Sequence, residues 1–380
     1  MNDGFKTSMA APERDRLDLF LAASHRLGTT VRNVEKDFWI CWTLDALYHG
    51  LPPGGPRLLF KGGTSLSKGH DLIRRFSEDI DITVFRQDLS QAASIDDLEK
   101  LSKKKRMARL EAIRRACRDW VQGPLRQNLD AQVREFVSTD GRTELDDGDH
   151  DGQTLLVWYP AIAVSEPGYV RPVVRIECGA GSALEPHHEV VVRPYIADDA
   201  PKLNISVPAV LTIEPDRTFW DKIVFVHGLR RWHEIRGELR QGGQRVSRHY
   251  YDLHCLFRSP AGPSFADNQA LGADCARHAR MFFDRRDHDL ASAKRGAFAI
   301  KPNIQMLELP RKDYANTISM IFGAPPSFEE IMASINEIDV YRELCVLILP
   351  YISELNFSPR SLAFYTGRAT YCAVTPFKNR

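Results

Sequence analysis

Two aspartates separated by one residue are the part of this sequence best suited to chemistry. Asp79 and Asp81 flank Ile80, and the alternation of apolar and polar residues from there to Val84 predicts a β-strand. Because side chains alternate between the two faces of a strand, both carboxylates point to the same face. Paired carboxylate oxygens form a hard-ligand site for a divalent cation such as Mg²⁺.

A turn of small residues precedes this carboxylate pair. The apolar run 58–60 predicts a buried strand that ends at Gly62 and Gly63, and Thr64 and Ser65 follow. Glycines let a backbone approach a phosphate closely, and N–H and hydroxyl groups at a helix start can donate to it. Strand, turn, helix and acidic strand together predict phosphoryl or nucleotidyl transfer. The alternative is a tight turn followed by a solvated acidic strand.

The same stretches resemble a known family. Segments 60–68 and 76–81 are similar to the AbiEii/AbiGii nucleotidyltransferase toxins, a group that includes the MenT toxins of the DNA polymerase β-like nucleotidyltransferase superfamily. Residues 34–39 also resemble the segment that precedes this motif. The resemblance covers roughly residues 30–260. It implies an α/β (α+β) nucleotidyltransferase fold with a mixed twisted sheet, N-terminal helices and a helical C-terminal region.

The resemblance also implies an activity. A toxin of this kind transfers a nucleoside monophosphate from an NTP to an acceptor and releases pyrophosphate, with Mg²⁺ or Mn²⁺ as cofactor. For MenT-like toxins the implied acceptor is the 3′ end of tRNA, which blocks translation, and a cognate antitoxin is the implied partner. The implied nucleotide contacts are the residues of the turn and two lysines: Gly62, Gly63, Thr64, Ser65, Lys68 and Lys222.

A third carboxylate is expected beside the first two. Residues 172–179 predict a central strand with Arg175 and Glu177 on one face. The superfamily resemblance implies that Glu177 joins Asp79 and Asp81 in holding the metal and polarises the acceptor hydroxyl. The alternative is a strand-face glutamate that forms a salt bridge with Arg175.

Two further residues come from the C-terminal half. Pro215 opens a predicted helix that carries Lys222, which the resemblance places beside the triphosphate, where it offsets charge on the leaving pyrophosphate. A lysine that extends its ammonium to solvent is the alternative. The pattern Arg-x-x-x-Asp-Leu at Arg248 looks like a second family signature, and Asp252 would orient Lys222, a base or a ribose hydroxyl. A structural aspartate is the alternative.

Length and composition set the wider expectations. The 380 residues predict N-terminal helices packed on the core (1–56), a nucleotidyltransferase core (57–215) and a helical C-terminal region (216–380) that completes the nucleotide cleft. A formal net charge of +1 gives no global attraction to nucleic acid. The sequence has no apolar run long enough for a membrane span, and its seven cysteines form no Cys-x-x-Cys pair, so a cytoplasmic protein is expected.

Several local expectations follow from periodicity. Apolar residues at 66, 72, 73 and 76 predict a short helix after the glycine turn, and residues 96–121 predict one long helix with a basic face. That face is either solvated or a docking surface for RNA phosphates. Segments 131–138 and 153–164 predict a hairpin with a mobile acidic tip, and helices are predicted at 327–338 and 339–356. Lys36 and Asp37 predict a surface ion pair, with a position that reaches the active site as the alternative. His187 and His188 predict a loop.

Two rival functions use the same fold. One is nucleotidylation of a protein hydroxyl, which would not need the basic helix. The other is a binding module without catalytic activity, which the intact Asp79 and Asp81 pair argues against. Ser77, next to these carboxylates, is a candidate modification site that would silence the enzyme.

Overall fold

In the computed structural model the chain builds one mixed β-sheet with helices on both faces; residues 2–137, 141–163, 171–239, 245–294 and 296–339 are described. Within them the sheet has seven strands in the order β3-β4-β5-β2-β1-β7-β6. The strands are β1 (Leu58–Lys61), β2 (Asp79–Val84), β3 (Arg142–Leu145), β4 (Thr154–Trp158), β5 (Val173–Gly179), β6 (His187–Val192) and β7 (Val207–Ile213). Parallel pairing of β2 with β5 and of β1 with β7, among antiparallel neighbours, confirms the predicted mixed α/β fold.

Helices precede, interrupt and follow the sheet. The α-helices are α1 (Asp3–Ala10), α2 (Glu13–Leu27), α3 (Val31–His49), α4 (Gly62–Lys68), α5 (Ile95–Lys100), α6 (Lys103–Trp120), α7 (Arg126–Phe136), α8 (Pro215–Arg236), α9 (Ser247–Arg258), α10 (Gly262–Asp267), α11 (Gln269–Phe282) and α12 (Ile304–Thr317). A π-helical turn, Val121–Leu125, joins α6 to α7. Short 3₁₀ turns lie at Tyr195–Asp198, Pro201–Leu203, Arg286–His288, Leu290–Ser292 and Ile318–Met320. Residues 328–339 are helical.

The apolar face of the sheet is covered by the N-terminal helices together with α6 and α7. Ile80 and Ile82 on β2 belong to the same buried cluster as Phe38 and Trp42 on α3. Burying a side chain such as that of Phe38 stabilises the fold by about 1.5–3 kcal/mol. Because side chains alternate along β2, burial of Ile80 and Ile82 forces Asp79 and Asp81 onto the opposite face.

A second buried cluster belongs to the C-terminal helices. Trp220 on α8 and Tyr250 on α9 are fully buried in it, and the same cluster takes in Leu66 and Ile73 from the segment between β1 and β2. The C-terminal helices therefore pack on the chain beside the glycine turn and bring their polar side chains to the acidic face of the sheet. No helix among the described residues combines the length and apolarity needed to cross a membrane.

Two helix predictions are corrected by the structure. The helix after the glycine turn ends at Lys68, and residues 69–78 are not helical, although Ile73 and Phe76 are buried as expected. The spacing of apolar residues therefore predicted correctly which side chains are buried, but it predicted the wrong secondary structure. The long basic helix is divided into α5 and α6, because Ser102 adopts an extended conformation and its side chain caps α6.

One strand prediction and two loop predictions were also wrong. Residues 131–136 belong to α7, and β3 lies inside the segment predicted as a mobile acidic tip. Short polar stretches fit both the two-residue period of a strand and the 3.6-residue period of a helix. Here the packing of α7 on the core favours the helix. His187 and His188, predicted in a loop, begin β6. The helix predicted at 327–338 is present, whereas residues 340–356 of the next predicted helix lie outside the described residues. The division at residues 56 and 215 stays a prediction.

Three consecutive charged residues on α3 are buried, which overturns the predicted surface ion pair. Glu35, Lys36 and Asp37 are 1%, 3% and 1% exposed. The Lys36 ammonium lies 2.9 Å from a Glu78 carboxylate oxygen, and Asp37 lies 2.7 Å from the Lys68 ammonium. One turn of α3 thus fixes both the end of α4 and the residue before Asp79 through buried ion pairs.

We expect Asp37→Asn to lower the free energy of unfolding by about 3 kcal/mol, because it leaves the Lys68 ammonium buried without its counter-ion. Urea unfolding followed by circular dichroism measures the change. Asp3→Asn is the control, since Asp3 pairs with Lys6 at 3.2 Å but its side chain is 93% exposed. Equal stability of wild type and Asp37→Asn would show that the buried pair contributes nothing.

Candidate active site

Three carboxylates lie on the same face of two neighbouring parallel strands. The register places Asp81 directly beside Glu177 and Asp79 beside Arg175. Lys61, the last residue of β1, pairs with Asp81 on the other side. Because paired residues of adjacent strands point to the same face, all three carboxylates share the face beside the glycine turn. The structure therefore brings together Asp79, Asp81 and Glu177.

The negative charges of these carboxylates lie close together and repel each other. Burial, with the nearby charges of Glu78 and Asp81, raises the pKa of Asp79. Burial and the charge of Asp81 also raise the pKa of Glu177, although Arg175 opposes this with a guanidinium nitrogen 2.9 Å away. Like charges held this close disfavour their own ionisation, and a bound cation relieves that cost.

The carboxylates suit a metal ion whose remaining ligands come from the substrate. Among the described residues no three His, Cys, Asp or Glu side chains converge into a ready-made metal cluster. Mg²⁺ is commonly held by one or two carboxylates, with waters and substrate phosphates as its other ligands. The donor set of Asp79 and Asp81 fits that pattern. Two protein cations stand near it, with Lys61 3.7 Å from Asp81 and Arg245 3.8 Å from Asp79.

The glycine turn lies against these carboxylates. Gly62 has φ +78°, and a Cβ there would lie 2.0 Å from Oδ2 of Asp81. A Cβ on Gly63 would lie 2.3 Å from an Arg75 guanidinium nitrogen and 3.1 Å from the Ser77 hydroxyl. Gly62 is therefore required for the close approach of the turn to Asp81, and a side chain at position 63 would displace Arg75.

The hydroxyls of the turn are already bonded to main chain. Thr64 donates to the Asp79 carbonyl at 2.5 Å and Ser65 to the Gly62 carbonyl at 2.9 Å. The Thr64 bond ties the turn to β2, and the Ser65 bond lies within the turn. Lys68 is not brought to the carboxylates, because its ammonium pairs with Asp37 and lies 3.6 Å from the centre of the Tyr195 ring.

We expect Gly62→Ala to reduce nucleotide transfer at least tenfold and to cost about 1–2 kcal/mol of stability, because alanine is strained at positive φ and its methyl group displaces the Asp81 carboxylate. Transfer assays and urea unfolding measure the two effects. Gly54→Ala is the matched control, since Gly54 has φ +87° and an added Cβ meets nothing within 4 Å. Equal activity of the two variants would contradict the role of the turn.

Lys222, Asp252 and Arg75 form a buried ionic triad. Asp252 is fully buried, with one oxygen 2.8 Å from the Lys222 ammonium and both oxygens bonded to Arg75 at 2.7 and 2.9 Å. Burial works to raise the pKa of Asp252, but Arg75 and Lys222 outweigh it and lower the pKa. Burial lowers the pKa of Lys222. Sequence reasoning missed Arg75, whose one signal was its place just before the Ser-Glu-Asp-x-Asp segment.

Two cavities adjoin the carboxylates. The larger is about 620 Å³ and is called the basic cavity after three arginines in its lining, Arg75, Arg245 and Arg248. The lining also contains Ser77 and three acidic residues, Glu78, Asp79 and Asp313. The smaller, called the aromatic cavity, is about 430 Å³ and begins at Lys61, Gly62 and Lys222. Its further lining is mainly aromatic and apolar, including Phe225, His249, His278 and Phe283.

Comparison with known proteins assigns the chain to a family through one family model. No curated protein matches the chain. Among solved structures, the chain is similar to MenT4, a nucleotidyltransferase toxin from Mycobacterium tuberculosis H37Rv, with a TM-score of 0.46 and 14% identity over 92% of each chain. The family model of the nucleotidyl transferase AbiEii toxins of type IV toxin–antitoxin systems matches residues 45–334. With most of its length matched, the chain belongs to the AbiEii nucleotidyltransferase toxin family.

Proposed function

We propose that the protein transfers a nucleoside monophosphate from an NTP to the 3′ end of tRNA in a Mg²⁺-dependent reaction. Its family makes it a nucleotidyltransferase and the toxin of a type IV toxin–antitoxin system, which implies an antitoxin partner. The observation that carries the proposal is the register of β2 and β5, which sets Asp79, Asp81 and Glu177 on one face beside Gly62.

The acidic strand and the arginines are proposed to bind different parts of the metal–nucleotide complex. Asp79 and Asp81 would hold the metal ion, which neutralises phosphate charge when bound. The basic cavity, with Arg245 and Arg248 in its lining, suits the β- and γ-phosphates because guanidinium groups match phosphate geometry. Gly62 and Gly63 let the backbone come close to the same phosphates. Thr64 and Ser65 stabilise this turn through their hydrogen bonds to main-chain carbonyls.

Lys222 is positioned for the leaving group. Asp252 fixes its ammonium at 2.8 Å, and the lysine lines the aromatic cavity near Gly62. Asp252 also binds Arg75, which lines the basic cavity, so we place the ammonium at the boundary of the two cavities, where it offsets the negative charge that develops on pyrophosphate. Asp252 acts through Lys222 and Arg75, so it is a positioning residue in this scheme.

Glu177 is the proposed base for the acceptor hydroxyl. Its carboxylate lies beside Asp81 on the neighbouring strand, and its raised pKa brings it closer to the value that suits a general base. Its contact with Arg175 also fits the simpler role of a structural ion pair. Glu177→Gln distinguishes the two: loss of transfer with unchanged NTP affinity supports the base.

The acceptor-binding surface is proposed on α6. Lys103, Lys104 and Lys105 at its start are exposed, whereas Arg109 and Arg114 donate hydrogen bonds within the chain. Because the net charge of the whole chain is close to zero, RNA attraction must come from such local clusters. Each phosphate contact made by a lysine adds to the salt dependence of binding.

Incubation with each radiolabelled NTP, Mg²⁺ and total RNA tests the function. We expect label on a tRNA-sized species in the presence of wild type, and none with EDTA. Label on protein and none on RNA would favour nucleotidylation of a protein hydroxyl. Growth arrest that persists in cells expressing Asp81→Ala would favour the non-catalytic module.

Replacing Lys103, Lys104 and Lys105 with glutamine tests the docking surface. We expect weaker tRNA labelling and a shallower salt dependence, because three phosphate contacts are lost. The control replaces exposed cations elsewhere, Arg14, Lys202 and Lys312, with glutamine, for the same change in charge. Equal losses in both variants would assign the effect to net charge rather than to α6.

A further inference from the structure

We propose that the aromatic cavity binds the nucleobase of the incoming NTP, and that His278 contacts the edge of that base. The inference rests on the proposed function, because it concerns the other end of the same nucleotide. The cavity of about 430 Å³ lies between β1, α8 and α11, and begins at the glycine turn.

The two cavities match the two ends of a nucleotide. An NTP carries several negative charges at one end and a flat, largely apolar ring at the other. The basic cavity begins at Asp79 and holds three arginines along with Glu78 and Asp313, whereas the aromatic cavity begins at Gly62, against the Asp81 carboxylate. An α-phosphate at the Asp79 and Asp81 pair therefore has the triphosphate tail on one side and the nucleoside on the other.

The walls of the aromatic cavity offer rings to stack on. Phe225 on α8 and Phe283 just after α11 are 43% and 51% exposed, so both rings are accessible to a ligand in the cavity. The Phe225 ring lies 4.3 Å from the His249 ring. Nucleobases stack on aromatic side chains because every base has a π-face. Asp221 and Arg285 also line the cavity and oppose each other in charge.

A buried polar atom points to a ligand with hydrogen-bonding groups. His278 is 4% exposed, stacks on Phe282 with ring centres 4.5 Å apart, and its Nε2 has no hydrogen-bond partner among the described residues. Burial lowers its pKa to about 3, so the ring is neutral at pH 7. A buried ring nitrogen without a partner is unfavourable, and a base edge would satisfy it. A neutral imidazole suits a base better than it suits a phosphate.

Equilibrium binding to the full chain with Mg²⁺, using NTPs and tripolyphosphate, separates the two ends. We expect wild type to bind its preferred NTP more tightly than tripolyphosphate. Phe283→Ala should weaken NTP binding roughly tenfold and leave tripolyphosphate affinity unchanged, because it removes a stacking surface for the base. Ile235→Ala is the control, since Ile235 lies on α8, is 57% exposed and is not in the cavity lining.

His278→Phe keeps an aromatic ring and removes the nitrogen. We expect it to change the order of preference among the NTPs while tripolyphosphate affinity stays the same. Thermal unfolding of the variant reports whether the ring still packs on Phe282. A shifted order of preference in a folded protein supports the assignment of His278.

Two results overturn the inference. If wild type binds tripolyphosphate as tightly as any NTP, the base has no site, although the proposed transfer can still stand. If Phe283→Ala raises KM for tRNA and leaves NTP affinity unchanged, the cavity takes a base of the acceptor instead. Binding of neither probe by wild type would count against the proposed function itself, and the inference would fail with it.

Discussion

Asp81→Asn is expected to reduce nucleotide transfer by more than about 10³-fold and to leave the protein as stable as wild type or more so. The loss follows because a carboxylate that we propose holds the metal is replaced by a neutral amide. The retained stability follows because Asp81 lies beside Glu177 and helps to raise the pKa of both Glu177 and Asp79. Removing its charge relieves that repulsion. Label transfer to RNA and thermal unfolding measure the two effects.

The metal supplies a second readout for this variant. Mg²⁺ with NTP should raise the unfolding temperature of wild type and not that of Asp81→Asn, because ligand binding to the folded state stabilises it. Glu189→Gln, an exposed carboxylate on β6, controls for the change in charge. Substantial transfer by Asp81→Asn would refute the assignment of β2 as the metal strand. Equal loss of activity in Glu189→Gln would show that charge alone accounts for the effect.

The shared face of Asp79 and Asp81 could be predicted from the sequence because it depends only on alternation within one strand. The position of Glu177 could not be worked out in that way. Its place beside Asp81 depends on the parallel pairing of β2 with β5, and the strands β3 and β4 lie between them in the chain. The family resemblance pointed to Glu177, and the register now gives its neighbours.

The buried ion pairs could not be predicted from the sequence. Lys36 and Asp37 are adjacent and of opposite charge, which favoured a surface pair, yet each is buried with a partner from another element. Arg75 shows no periodic pattern, and its partner Asp252 lies on α9. Such pairs form only when the fold brings distant segments together. Local propensity and spacing therefore carry no information about them.

Asp252→Asn is expected to lower the free energy of unfolding by about 3–5 kcal/mol, because it leaves the Lys222 ammonium and the Arg75 guanidinium buried without a counter-ion. Both cations contact Asp252 within 3 Å in the folded protein. Urea unfolding at pH 7 measures the difference. The pKa of Asp252 is lowered by folding, so its contribution is complete above the unfolded value of about 3.9 and is lost as pH falls below it. The gap between wild type and variant should narrow in acid.

Lys222→Met separates the stabilising role of the triad from its role in transfer. Asp252 then keeps both hydrogen bonds to Arg75, so we expect a smaller loss of stability, about 2 kcal/mol. Transfer should nevertheless fall at least a hundredfold, since the ammonium that we propose for the leaving pyrophosphate is gone. A variant that is well folded yet inactive assigns Lys222 to the reaction. If Lys222→Met instead loses stability and activity in proportion, the lysine is structural, and the triad serves only to join α8 and α9 to the residues before the acidic strand.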